Sequence, residues 1–330
     1  MMTRRTFAAA AAAPLLGACR NAGPSPNSGW RRAPDAPYAV QEIYPALHDG
    51  AIWIAGGFAP LAALGATRRV IVFNPAHNTW SEGPNLPEPA HHVHLASLNG
   101  ALWAIGGFLG GDNRRRWICT ARVLKLAGES WIEGPALPKP IGEAVPVVHA
   151  GRIHLIGGRA PRGAAANLEW DDQGDVDDHF VLTPESGAWA RAAPLPLARN
   201  SAAGMSHDGR IHVISGRTVA GGQTGAHHIY DANADRWATA PDYPDPRGGL
   251  AAAVWNGRLV AGGGEIFEPP SVSDALHAYD DSGWRRFETM PSSRHGHGMI
   301  AAGAALHLIG GAQNVGGRDT LARVDTLSAA

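Results

Sequence analysis

Apolar residues along this chain fall in short runs, not in helical stripes. Ala101-Leu102-Trp103-Ala104-Ile105 is representative: five residues, entered through Asn99-Gly100 and closed by Gly106-Gly107. Asp49-Gly50, Asp208-Gly209 and Asn256-Gly257 stand at the equivalent point of other runs. Asn-Gly and Asp-Gly favour the left-handed backbone of a two-residue hairpin, so each site predicts two antiparallel strands joined by a tight turn. The pattern repeats. Tryptophan stands at 30, 80, 131, 189, 237 and 284, and a small-residue pair follows 26 residues later each time: Gly56-Gly57, Gly106-Gly107, Gly157-Gly158, Ser215-Gly216, Gly263-Gly264 and Gly310-Gly311. Pro-rich turns such as Pro84-Asn85-Leu86-Pro87 and Pro135-Ala136-Leu137-Pro138 follow the tryptophan. Phe73, Leu124, Leu182 and Tyr230 lie seven residues before it, on a third strand, and the tryptophan opens a fourth. Regular short strands with turn signals between them predict an all-β array.

Hairpin, Gly-Gly, a Tyr-Asp such as Tyr230-Asp231 or Tyr279-Asp280, and then Trp together resemble the kelch repeat. The resemblance covers residues 30–330 and implies a six-bladed β-propeller, one four-stranded blade per repeat around a channel. Trp30 has no pair before it and Gly310-Gly311 has no Trp after it. The ring is therefore expected to close by the Trp30 strand joining the C-terminal blade, which removes exposed sheet edges. In this frame the repeated Trp and Gly are structural. The column holding His154, His212 and His307 alternates with Trp53, Trp103 and Val260 and reads as packing.

Composition narrows the picture. With 42 Gly and 25 Pro among 330 residues, 45% hydrophobic residues and a net charge of -1, the chain builds a core and offers no global attraction to nucleic acid. Of 28 basic residues only Lys125 and Lys139 are lysine, a ratio attributed to compositional bias. Arg4-Arg5-Thr6-Phe7 before an Ala-rich stretch resembles a twin-arginine export signal, and Leu16-Gly17-Ala18-Cys19 resembles a lipobox. Residues 1–18 are thus expected to be a removable leader, Cys19 the lipidation site, and 19–29 a Pro/Ser/Gly tether. The expected location is the periplasm, anchored by lipid to the outer membrane, with membrane contact only through that anchor. Acylation of Cys19 would leave Cys119 without an intrachain partner.

Kelch propellers commonly bind ligands on the face bearing the loops before the first strand and after the glycine pair. Sixteen residues before the pair stand Val40, Ala90, Ile141, Arg199, Arg247 and Arg294; fourteen before it, Glu42, His92, Glu143, Ser201, Gly249 and Gly296; two after its first residue, Phe58, Phe108, Arg159, Arg217, Glu265 and Ala312. Five arginines at one mouth would bind a carboxylate or phosphate bidentately, with Glu143 or Glu42 placed to move a proton. Arg159, Arg217, Arg247, Arg294, Glu42, His92, Glu265, Phe58 and Phe108 are the ligand-binding candidates, and Glu143 and Arg199 the catalytic ones. The loop after the third pair is the longest and carries Trp170, Asp171, Asp172, Asp175, Asp177 and Asp178. It suits a lid over the mouth, and lacks the spacing of a calcium loop. Ser206-His207-Asp208 is not a triad, since neighbouring strand residues face opposite ways. His91, His92, His94, His295 and His297 are a weaker alternative as metal ligands. Neither a phosphate loop nor a dinucleotide fingerprint is present, and the absence of a Tyr-His dipeptide argues against copper oxidase chemistry, so no cofactor and no metal are expected.

Two functional expectations follow. The first is a monomeric binding module that takes an anionic small molecule, glycan, peptide or protein at the mouth. The second comes from a distant similarity to exported sialic-acid mutarotases: Arg199 would hold a sugar carboxylate while Glu143 shuttles the anomeric proton.

Overall fold

The computed structural model describes residues 29–60, 64–110, 117–163, 167–280 and 282–328. The expected leader, Cys19 and the tether up to residue 28 lie outside the described residues. Six sheets share one plan of antiparallel strands, in sequence order in five of them and completed by the N-terminal strand in the last. In the first blade these are Ala46–His48, Ala51–Ala55, Val70–Asn74 and Thr79–Gly83. The innermost strands of the others are His94–Leu98, Val145–His149, Ala203–His207, Gly248–Trp255 and Gly298–Ala302. Each innermost strand packs against the next, and Gly298–Ala302 packs against Ala46–His48. The outer strand of the last blade is Trp30–Ala33, paired with Val324–Ser328 in the register Trp30↔Leu327.

The hairpin turns are left-handed as the sequence requires, with φ of 49° and 75° at Asp49 and Gly50 and 51° and 70° at Asn99 and Gly100. The glycine pairs do something different: they make the seams between blades. The N–H of the second glycine donates to a carbonyl of the following blade, from Gly57 to Ala90, Gly107 to Ile141, Gly158 to Arg199, Gly216 to Arg247, Gly264 to Arg294 and Gly311 to Val40, all at 2.8–2.9 Å. That carbonyl also lies against the first residue of the pair. A Cβ at Gly56 would come within 2.3 Å of the Ala90 oxygen, and one at Gly310 within 2.3 Å of the Val40 oxygen. Ser215 is the exception, and its hydroxyl accepts from the Arg247 N–H at 3.0 Å.

The tryptophan column locks the outer rim. The indole N–H of Trp80, Trp131 and Trp189 donates to the carbonyl of Pro34, Pro84 and Pro135 in the blade before. Apolar residues fill the spaces between blades: Ile52, Ile54, Ile71 and Phe73 of the first pack with Ile309, Val324 and Ala302 of the last. The histidine column is buried here too, as a packing position should be.

Candidate functional site

The residues fourteen before each pair form a ring about the axis. Glu42, His92, Glu143, Ser201, Gly249 and Gly296 all hold positive φ, between 51° and 70°. Backbone hydrogen bonds link them around the channel: His92 N–H to Glu42 O, Glu42 to Gly296, Gly296 to Gly249, Gly249 to Ser201 and Ser201 to Glu143, at 2.7–3.1 Å. Four side chains are thus held in a left-handed conformation that costs about 1–2 kcal/mol each. Gly296 makes room, since a Cβ there would sit 2.7 Å from the Glu42 carboxyl carbon.

Above this ring lies a cavity of about 350 Å³. Its polar floor is Glu42, His92, Glu143, Arg217, Glu265 and His295, and its walls include Phe58, Trp117, Trp170 and Phe267. Arg217 Nη1 meets Glu265 Oε1 at 3.1 Å, and its guanidinium stands 4.7 Å over the Phe267 ring. His295 bridges Glu42 and Glu265 at 3.5 and 3.4 Å, while His92 Nε2 lies 3.0 Å from Glu42 and 3.7 Å from Glu143. The Gly316 N–H donates to Glu265 Oε2 at 3.0 Å. Burial opposes the charge on Glu42, yet His92 and His295 hold its carboxyl well below the usual carboxylate range. Burial likewise opposes a charge on His295, and Glu42 and Glu265 reverse that and push the imidazole up. Arg217 is raised despite burial by the facing Glu143 and Glu265. Beneath the ring, burial pulls His94 down to about 4, leaving a neutral imidazole whose Nε2 accepts from the Ala144 N–H. A second space of about 100 Å³ lies below, lined by Tyr44, Met205, His297 and Met299, and Glu42 touches both.

Of the candidate residues, Glu42, His92, Glu143, Arg217, Glu265 and Phe58 line the cavity together. Arg199, Arg247, Arg294, Arg159 and Phe108 do not, and the physical reason differs for each. Arg199 is buried between blades and donates to the carbonyls of Ser215, Leu197, Val213 and Ala226, which makes it a seam residue and not a carboxylate holder. Arg294 is buried against Asp325 at 2.5 Å, and Arg247 is engaged by Asp245 and Ser271. Arg159 lies behind Trp170, 3.7 Å under its ring, donating to the Trp170 carbonyl. Phe108 backs His91, which is itself stacked on Phe58 at 3.9 Å. Of these five arginines, only Arg217 lines the cavity among the described residues.

Trp170, from the long third loop, lines the cavity wall. That loop's carboxylates disperse: Asp172 accepts the N–H groups of Leu168 and Glu169, Asp175 those of Asn200 and Val219, and Asp178 pairs with Lys139 and Arg191. Among the described residues, no cluster of three or more His, Cys, Asp or Glu is disposed to hold a metal ion. Sequence reasoning passed over Trp117, Phe267, Gln41 and the wall role of Trp170. Trp117 and Trp170 carried a usable signal, since both stand outside the repeat's tryptophan columns, in loops after a glycine pair.

Fold and site together define a β-propeller with an acid- and histidine-floored cavity on its axis. A protein-family model described as the Kelch motif matches residues 45–87. Kelch-like protein 40 from Mus musculus is 24% identical over 186 residues, 55% of this chain and 28% of its own. Rab9 effector protein with kelch motifs from Homo sapiens is 28% identical over 186 residues, 52% of this chain and 46% of its own. The chain thus spans less than half the length of these curated relatives. The solved structure of YjhT superposes with a TM-score of 0.73 at 18% identity, covering 88% of this chain and 95% of that one. This protein has a β-propeller fold and carries a Kelch motif at residues 45–87.

Proposed function

We propose that the protein binds a small polyhydroxylated acid, a sugar acid or the acidic end of a glycan, in the axial cavity. The observation that carries this reading is Arg217, the one arginine among the described residues on the floor of a cavity walled by aromatic rings. Glu265 takes one of its nitrogens, and among the described residues no protein group engages Nη2, which is left for a ligand carboxylate. Aromatic rings stack on the C–H faces of a sugar, and the remaining carboxylates accept its hydroxyls. The test is saturation-transfer NMR with sialic and uronic acids against their neutral analogues. The wild type should bind the acids, and Arg217→Gln should weaken them tenfold or more, the scale of one lost charged hydrogen bond. Equal binding of acid and neutral sugar, or none of either at millimolar concentration, overturns the reading.

A second reading, sugar-acid mutarotase, is favoured by one further feature: Glu143 and the His92–Glu42 pair share one side of the ring, a candidate proton donor beside a candidate acceptor. Exchange NMR between anomers tests it, and a rate equal to buffer for every sugar acid rejects it. The proposal includes export and anchoring through Cys19, which predicts that Cys19→Ser moves the protein from the membrane to the soluble fraction.

A further inference from the structure

Gln41 lines the cavity where the chain enters the first blade, and it is wholly buried. Its main chain is fixed, exchanging two hydrogen bonds with Phe58 at 3.0 and 2.9 Å. Its side-chain amide is fixed as well. Nε2 donates to the Gly317 carbonyl at 2.9 Å and to Thr320 Oγ1 at 3.1 Å. Thr320 directs its own hydrogen to that same carbonyl, at 3.3 Å, and so accepts from Gln41. Turning the amide over would set an oxygen against the Gly317 carbonyl, acceptor against acceptor. Oε1 is thereby committed to accept, yet among the described residues it is buried without a hydrogen-bond partner. An orphaned buried acceptor is costly, and native structures hold few of them. The Gly316 N–H, on the turn that anchors Gln41, does not serve it, since that group donates to Glu265 Oε2 at 3.0 Å.

We propose that Gln41 sets which acids the cavity takes: its Oε1 accepts a hydrogen from a ligand hydroxyl or N–H that lies away from the carboxylate. The proposal rests on the function above, in which Arg217 holds that carboxylate. Glu265 stands between the two residues. One of its oxygens faces Arg217 Nη1 at 3.1 Å, and the other takes the N–H of Gly316, next to the glycine that anchors Gln41. A ligand engaging both ends therefore spans Glu265, so the donor it offers is not the one on the carbon beside its carboxylate. A sugar acid fits, since it carries hydroxyls several carbons further along. Glutarate and sulfate bring only acceptors, and lactate brings its one hydroxyl beside the carboxylate. Thr320 is a positioning residue: it holds the Gln41 amide from outside the cavity lining.

The experiment is a double cycle of protein and ligand changes, read as dissociation constants by NMR titration of the whole protein. The probes are sialic acid and glucuronate, their monodeoxy analogues, glutarate, and neutral methyl glucoside. In the wild type, loss of one hydroxyl not adjacent to the carboxylate should weaken binding about threefold to tenfold, the scale of one neutral hydrogen bond. Gln41→Met keeps the length and removes the acceptor, so parent acid and that deoxy analogue should bind it equally, while glutarate binds as it does to wild type. A merely structural role would weaken both sugars alike and leave their ratio unchanged. Thr320→Val, which spares the cavity lining, should lower the same ratio and decides the matter if Gln41→Met does not fold. A ratio unchanged in either folded variant, or no single hydroxyl that matters in the wild type, overturns the proposal. If Arg217→Gln weakens the acids while Gln41→Met leaves the ratio alone, this inference falls and the proposed function stands. If the ratio responds to Gln41 while methyl glucoside binds as well as the acids, Gln41 stands and the acid reading falls; binding of none of the probes overturns both.

Discussion

The seam between the last blade and the first can be tested by one pair of substitutions. Gly310 and Gly303 lie in the same blade, both with φ of 60°. Alanine at either position bears the same left-handed penalty, about 1–2 kcal/mol. The surroundings differ. A Cβ at Gly303 meets nothing within 4 Å, whereas one at Gly310 would lie 2.3 Å from the Val40 carbonyl oxygen. That oxygen accepts the Gly311 N–H at 2.9 Å, so it cannot retreat without breaking the seam bond. Overpacking at a fixed contact costs about 1–3 kcal/mol, and the displaced hydrogen bond about 0.5–1.5 kcal/mol. Gly310→Ala should therefore lose about 2–4 kcal/mol more than Gly303→Ala, measured from urea midpoints at equal slope. Equal losses in the two variants would show that the glycine pair serves backbone angle alone and that the seam carbonyl is not a steric wall.

Two other outcomes follow from the buried charges. Arg294→Ala should destabilise by about 3–5 kcal/mol, because Asp325 would stay buried without its closest cation, and sugar-acid binding by the folded fraction should persist. Lost binding with unchanged melting would return Arg294 to the site. The pairs His154–His179 and His212–His227, each on neighbouring strands of one blade and linked at 2.8 and 2.9 Å, set the acid response. Burial pushes these imidazoles down to between about 3 and 4, with each pair's own repulsion adding at His154 and His227. Unfolded histidines titrate near 6.5, so below that pH the unfolded chain binds protons that the fold refuses. Stability should be level above about pH 6.5 and fall steadily toward pH 4, with a shallower slope in His154→Phe combined with His212→Phe. A pH-independent urea midpoint across that window would refute the account.

Much of this protein is legible along the chain because its information is local and repeated. Asn-Gly and Asp-Gly specify a hairpin wherever they stand, and the constant step from tryptophan to glycine pair marks off the four-stranded units without any knowledge of their packing. The ring column was legible for the same reason: alignment on the pair placed Glu42, His92 and Glu143 in one register before any contact was known. What the alignment could not supply was direction. Arg199, Arg294 and Arg217 occupy neighbouring columns of like composition, but two of them turn into the seams to satisfy carbonyls and Asp325, and one turns to the axis. That choice depends on which acceptors the next blade presents, a long-range matter. The tertiary structure also decided the aromatic walls, by bringing Trp117 and Trp170 to the cavity. The contact of Glu143 with Ser201 is of the same kind: adjacent blades bring the two side chains within hydrogen-bond distance, a meeting that no spacing within a single repeat encodes.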